Sequence, residues 1–221
     1  NGESALLVQG ARRVGKSYIV EAFAKAEYKS YILIDFNLVD QQVKEMFEHD
    51  LVDLKTFFMK LTTYYGVKLY ERESLIIFDE VQLFPKAREA IKYLVADGRY
   101  DFLETGSLIS IKENVKDIVI PSEERHLKMY PLDFEEFCWS QNVDGKIFDM
   151  LKECYEKKQP VDDFIHEHLM SLFRKYLIIG GMPAAVASFA QNNSLIDVRQ
   201  AQEDIKQGYR RDISQYARKE D

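Results

Sequence analysis

The first hundred residues alternate between short unbroken apolar runs and longer segments in which apolar residues recur every three or four positions. The runs Leu6 to Gln9, Tyr31 to Phe36, Leu75 to Phe78 and Phe102 to Thr105 are each a few residues long and rich in Leu, Ile or Phe. Such runs are what strands buried on both faces require. Between them, residues 16–26, 41–49, 54–65 and 87–96 carry helical spacing. Strands alternating with helices predict a parallel sheet covered on both faces. Such a sheet gathers the strand C-termini, and any ligand, along one edge.

After Ser107 the pattern changes. Short apolar runs mixed with charges and two prolines predict one strand around 117–120 and another at 126–130. From Phe134 onward nearly everything reads as helix, with breaks at 142–145, 159–160, 180–183 and 191–194. The expected organisation is an α/β domain over residues 1–130 followed by an all-helical module over 131–221, with the boundary near Pro131. The first strand starts almost at residue 1, and "IKQGYRRDISQYARKED" stops inside a charged helical pattern. A fragment of a longer protein, cut within or just after the helical module, is the expectation.

Composition narrows the classes. The chain has 221 residues, of which 46% are hydrophobic and 30% charged, ordinary for a globular protein and long enough to bury a substantial core. A net charge of -7 argues against a nucleic-acid surface covering the whole molecule, so any DNA contact has to be regional. The two cysteines, Cys138 and Cys154, stand in helical surroundings without CxxC or paired histidines, and both read as reduced, buried small hydrophobes. No run reaches the eighteen or so apolar residues of a membrane span, and the start carries no signal peptide. A cytoplasmic protein without membrane insertion is expected.

The chemistry begins at "GARRVGKS". Gly10-Ala11-Arg12-Arg13-Val14-Gly15-Lys16-Ser17 matches G-x-x-x-x-G-K-[ST] between a predicted strand and a predicted helix. A loop that wraps a diphosphate with backbone N–H groups needs close approach and unusual dihedrals, hence glycine at both ends. Lys16 offers a positive charge to the phosphate oxygens, Ser17 a hydroxyl to Mg²⁺, and the helix N-terminus its partial charge. Tyr18 completes the segment expected at the nucleotide, and Arg12 and Arg13 read either as nucleotide contacts or as solvated loop residues.

The second element is "SLIIFDEVQ", an apolar strand ending in Asp79 and Glu80. A carboxylate at Asp79 suits Mg²⁺ held through water, and Glu80 suits a general base that polarises the attacking water. Gln82 reads equally as a residue of the same cleft and as the start of a loop before Pro85. In "FLETGSLIS", Thr105 and Ser107 both present hydroxyls at a strand end, where one of them can sense the γ-phosphate; a capping turn is the plainer account. Glu21, His49 and His126 show no partner pattern and are taken as surface or packing residues.

In this order "GARRVGKS", "YILIDF", "LIIFDEVQ", "FLETGSLIS", "YPLDFEEF" and "YLIIGGMPAAV" resemble archaeal and bacterial AAA-type P-loop ATPases related to the STAND class. The likeness runs from residue 5 to about residue 215, and "PLDFEEF" and "GGMP" are its more particular parts. It implies a three-layer P-loop fold whose sensor strand lies between the P-loop strand and the Asp79 strand. A helical region follows in that group, and then a C-terminal domain of uncertain function, often nuclease-like. Carried over residue by residue, it implies Lys16 and Ser17 at phosphate and Mg²⁺, Asp79 as the metal-linked acid, Glu80 as catalytic base and Ser107 as sensor. Where the group has a Gly-Arg pair, this chain has Glu124-Arg125. Arg125 is the matching candidate for charge stabilisation, with Arg210 and Arg211 or an arginine from a neighbouring copy as alternatives.

The function expected is therefore Mg-dependent ATP binding and hydrolysis, driving a switch or motor. Its partner is a protein or DNA, engaged through the helical module or a following domain, and a homo-oligomer is compatible. Two alternatives stay open: a binding module that holds nucleotide with little or no hydrolysis, and a P-loop kinase, for which no arginine-rich lid cluster is found.

Overall fold

The computed structural model describes residues 4–107 and 123–217. Among them the chain forms two compact units, divided between Met129 and Tyr130.

The first unit is built on a five-stranded sheet: β1 (Ala5–Gly10), β2 (Ser30–Asp35), β3 (Ser74–Asp79), β4 (Asp101–Ser107) and β5 (Glu124–Met129). Every pairing is parallel and the order is β2-β3-β4-β1-β5. The strand expected at 126–130 is β5, beginning two residues earlier; the one expected at 117–120 lies outside the described residues.

Four helices flank the sheet: α1 (Lys16–Glu27), α2 (Gln41–His49), α3 (Leu54–Tyr65) and α4 (Pro85–Asp97). Alternation along the strands sends Val8, Leu75, Ile77 and Leu103 to one face, where they meet Val20 and Ala24 of α1. Ala5, Leu7, Ile32, Ile34, Ile76 and Phe78 face the other way, onto α2, α3 and α4. That second layer is rich in aromatics: Phe47 packs edge-on against Phe36, Phe57 and Phe78. Local signals fix the ends. The Asp53 side chain accepts the amides of Lys55 and Thr56 to start α3, and Pro85 occupies the first turn of α4. Gly66 and Gly98 close those helices at φ 63° and 72°.

The second unit is helical among the described residues: α5 (Phe134–Ser140), α6 (Lys146–Lys157), α7 (Asp163–Ile179), α8 (Pro183–Asn192) and α9 (Leu195–Ala217). Asp133 and Glu136 form a reciprocal capping box at the head of α5. The core of this unit gathers Phe137, Cys138, Leu169, Leu172, Ala185, Val186 and Phe189. Cys138 and Cys154 are both free thiols, but only Cys138 is buried, and burial pushes its pKa up to about 11. Cys154, on α6, is partly exposed.

The two segments that most mark the family likeness meet here. The Leu132 amide donates to the Gly181 carbonyl at 2.8 Å, and the Tyr176 hydroxyl donates to the Leu132 carbonyl at 2.9 Å. A Cβ on Gly181 would stand 1.9 Å from the Leu132 carbonyl oxygen. "PLDFEEF" and "GGMP" are thus two sides of one backbone contact, which only glycine permits.

Candidate functional site

The C-terminal ends of β1, β3 and β4 lie side by side, with β4 in the middle. Gly10 ends β1, Asp79 ends β3 and Ser107 ends β4, with Gly10 opposite Ser107. Any residue on the loops leaving these strands is delivered to the same edge.

The two glycines of the first loop are needed for different reasons. Gly15 sits at φ 95°, a left-handed conformation that turns the chain into α1. Gly10 is required by its neighbour: a Cβ there would come within 2.5 Å of the Met129 carbonyl oxygen on β5. Val14 is fully buried and anchors the loop, while Arg12, Arg13 and Tyr18 are exposed and Ala11 is half-buried. Arg13 also takes a positive φ, 66°.

Lys16 is only 4% exposed, and its ammonium donates to the Gly10 and Ala11 carbonyls at 3.3 and 3.1 Å. Burial pulls its pKa below the ordinary lysine value, while the Glu80 and Asp79 carboxylates push it back up. A buried ammonium held by two carbonyls and facing two carboxylates is an anchor for an anion that can displace the carbonyls.

Asp79 is the hub. Its Oδ1 accepts the Ser17 hydroxyl at 2.9 Å and also the Thr105 hydroxyl. The Thr105 oxygen in turn accepts the Glu80 amide at 3.1 Å. Thr105, fully buried, therefore ties β4 to the end of β3. Glu80 takes a left-handed backbone, φ 54° and ψ 46°, and its carboxylate accepts the side-chain amide of Gln82. Gln82 is carried on a short 3₁₀ turn, Val81–Leu83.

Ser17 and Asp79 supply hard oxygen donors next to a cation-lined anion position, the donor chemistry that Mg²⁺ accepts. Among the described residues no group of three or more His, Cys, Asp or Glu side chains could cage a metal. A divalent ion at Ser17 would draw its remaining ligands from phosphate and water, which is how Mg²⁺ binds with nucleotides.

Of the residues singled out in the sequence, Lys16, Ser17, Asp79 and Glu80 converge. Ser107 stands on the same edge, two residues beyond Thr105, but the hydroxyl in contact with Asp79 and Glu80 is that of Thr105. Arg125 does not converge. It pairs with Leu6, four residues before the Gly10–Met129 edge, which puts its backbone about 13 Å down the strand. Arg210 and Arg211 are exposed on α9 of the second unit.

The strand neighbours hold a second polar cluster that the sequence reading missed. Arg88 of α4 donates through Nε and Nη2 to the Glu124 carboxylate at 2.8 and 2.7 Å, with both side chains buried. Glu104, fully buried on β4, lies beside this pair. Burial first and the Glu124 charge second push its pKa well above the ordinary range. His126 lies 3.6 Å from Glu124 through Nε2 and pairs with the Gln9 amide at 2.9 Å through Nδ1. No sequence motif joins residues 9, 88, 104, 124 and 126; only strand register does.

A five-stranded parallel sheet in this order, with a glycine loop running into α1 and an acidic pair ending the neighbouring buried strand, defines a P-loop nucleotide-binding fold followed by a helical module. The family model of the AAA domain matches residues 2–138, and the chain belongs to that family. Residues 170–221 match a domain of unknown function, DUF8612. A comparison with curated proteins gives no match.

Similar solved structures include C. elegans PCH-2, 12% identical over 92% of this chain and 61% of that one, with a TM-score of 0.44. The Aeropyrum pernix ORC1 protein in complex with DNA is 14% identical, over 91% and 59% of the two chains, with a TM-score of 0.40. The closed state of Hsp104 with ATPγS and FITC casein is 12% identical, over 91% and 39%, with a TM-score of 0.44. This chain thus spans 39% to 61% of those proteins. The family makes it a nucleotide-binding, ATPase-like protein. No helix among the described residues is long and apolar enough to cross a membrane.

Proposed function

We propose that this protein binds Mg-ATP at the loop Gly10 to Ser17 and hydrolyses it, using nucleotide occupancy as a switch or motor on a protein or DNA partner. One observation carries the reading. Lys16 and Ser17 at the head of α1, Asp79 and Glu80 at the end of β3, and Thr105 on β4 meet at one sheet edge.

Lys16 exchanges its carbonyl partners for β and γ phosphate oxygens. The amides that open α1 face the same anion and add the partial charge of the helix N-terminus. Ser17 and Asp79 would hold the divalent ion, which would supply charge neutralisation at the transferring phosphoryl group. Glu80 accepts the proton of the attacking water, and its fixed backbone holds the residue at this edge. Thr105 holds the Asp79 carboxylate and the Glu80 amide, while Ser107, at the end of the same strand, remains the sensor candidate. A switch that signals by occupancy calls for long-lived states, so slow turnover is expected.

The test uses two substitutions. Lys16→Ala should weaken ATP binding by at least about a hundredfold, in line with the loss of a buried charge-assisted contact. Glu80→Gln should bind ATP as the wild type does and lose Mg²⁺-dependent phosphate release by about 10² or more. Undiminished binding in the first would sink the loop assignment, and undiminished release in the second would sink the base. A wild type that retains ATP unhydrolysed would leave the binding-module reading in its place.

A further inference from the structure

We infer that Gln82 is the positioning residue of Glu80, orienting its carboxylate for the water that attacks the nucleotide. The inference rests on Glu80 acting as the base proposed above.

Glu80 is restrained at every polar position of its backbone. Its amide is bonded to the Thr105 hydroxyl at 3.1 Å, and its carbonyl accepts the Leu83 amide at 3.0 Å. The resulting φ of 54° is uncommon for a residue with a Cβ and persists only where neighbours over-determine it. The side chain remains: a glutamate has three torsions, and a fixed backbone alone does not choose among its rotamers. Gln82 makes that choice by donating its side-chain amide to Glu80 Oε2.

The donor is itself well held. Gln82 is 7% exposed, and the turn that carries it is pinned at both ends. Val81 is fully buried in the main core, and Phe84 stacks on Phe36 with ring centroids 5.5 Å apart. A neutral amide suits the task. It fixes one carboxylate oxygen without adding a charge that would compete for the proton, and it leaves Oε1 to accept from water. A lysine or arginine in the same place would hold the carboxylate more strongly and blunt its basicity.

A double-mutant cycle in hydrolysis tests the assignment. Gln82→Met keeps length and apolar volume and removes the donor. It should lower kcat by about tenfold or more, because loss of orientation alone has effects of that order, with KM for ATP kept within about twofold. On the Glu80→Gln background the same change should leave the residual single-turnover rate unaltered, since Gln82 acts only through the Glu80 carboxylate. Gln82→Ala carries the same cycle if the Met variant does not fold.

Loss by the same factor in both backgrounds marks Gln82 as structural packing and overturns the inference. So does a wild-type kcat in Gln82→Met. If Glu80→Gln itself hydrolyses at the wild-type rate, the base assignment has failed and this inference falls with it. The two failures are therefore read from different variants.

Discussion

A single buried threonine hydroxyl shows how the site is assembled at the scale of residues. Thr105 donates to Asp79 and accepts from the Glu80 amide, so a strand that carries no charge into the site still holds the acidic end of β3. One position earlier on the same strand, Glu104 points to the opposite face and into the Arg88–Glu124 pair. Its pKa is raised in the folded protein, chiefly by burial, so the folded state holds a proton that the unfolded chain releases. The sign follows: the stability associated with Glu104 is complete below the unfolded value, near 4.3, and is lost as pH rises toward the folded value. Across that window the loss runs at about 1.4 kcal/mol per pH unit. Glu104→Gln, which cannot ionise, should match the wild type near pH 4 and exceed it in denaturant stability at pH 7 to 8. Equal pH dependence in the two proteins would show that Glu104 does not hold the proton. The sequence located Lys16, Ser17, Asp79 and Glu80 because loop spacing and a strand end are written in consecutive residues. It could not choose Thr105 over Ser107, nor find Glu104, Arg88 and Glu124, because those contacts depend on which strands are neighbours and in what register. The place of Arg125 was hidden for the same reason: its register partner is Leu6, away from the phosphate edge.

At the scale of elements, the strands were legible because a strand buried on both faces leaves an unbroken apolar run, and every residue of β3 is buried. Helices α2 and α3 follow their periodic segments to the residue, since Asp53 and Gly66 punctuate α3 in sequence as well as in space. The strand around 126–130 was harder, because β5 buries little beyond Glu124 and so lacks the apolar run. Glycine spacing told only half its story. Gly15 has the dihedral that a phosphate loop demands, whereas Gly10 is held to glycine by the β5 backbone. Gly181 is the helical unit's counterpart, locked against Leu132. Gly181→Ala has to separate two backbones already joined by a 2.8 Å hydrogen bond. It should destabilise this unit by at least about 1–3 kcal/mol, the usual cost of overpacking. Trp139, half exposed on α5, is the only tryptophan of the chain and reports that unfolding by its fluorescence. An unshifted denaturation midpoint would mean that the Leu132–Gly181 contact is not required.

For the whole molecule, the question is what nucleotide binding does to stability, and the sheet unit answers it through mass action. A ligand that binds only the folded state at 100 times its Kd adds about 2.7 kcal/mol, a hundredfold in the folding equilibrium. The bonds that close the site join β1 and α1 to β3 and β4, so a ligand bridging Lys16, Ser17 and Asp79 braces three strands at once. Amides of β1, β3 and β4 that exchange only through unfolding of this unit should therefore slow about a hundredfold with Mg-ATP at that excess. Lys16→Ala should abolish the protection at the same ATP concentration. Glu80→Gln should keep it and hold it over time, because bound ATP is not consumed, whereas the wild type should drift toward the protection given by Mg-ADP as hydrolysis proceeds. That drift separates a hydrolysing switch from a module that merely holds nucleotide: constant protection in the wild type, indistinguishable from Glu80→Gln over many hours, would favour the module.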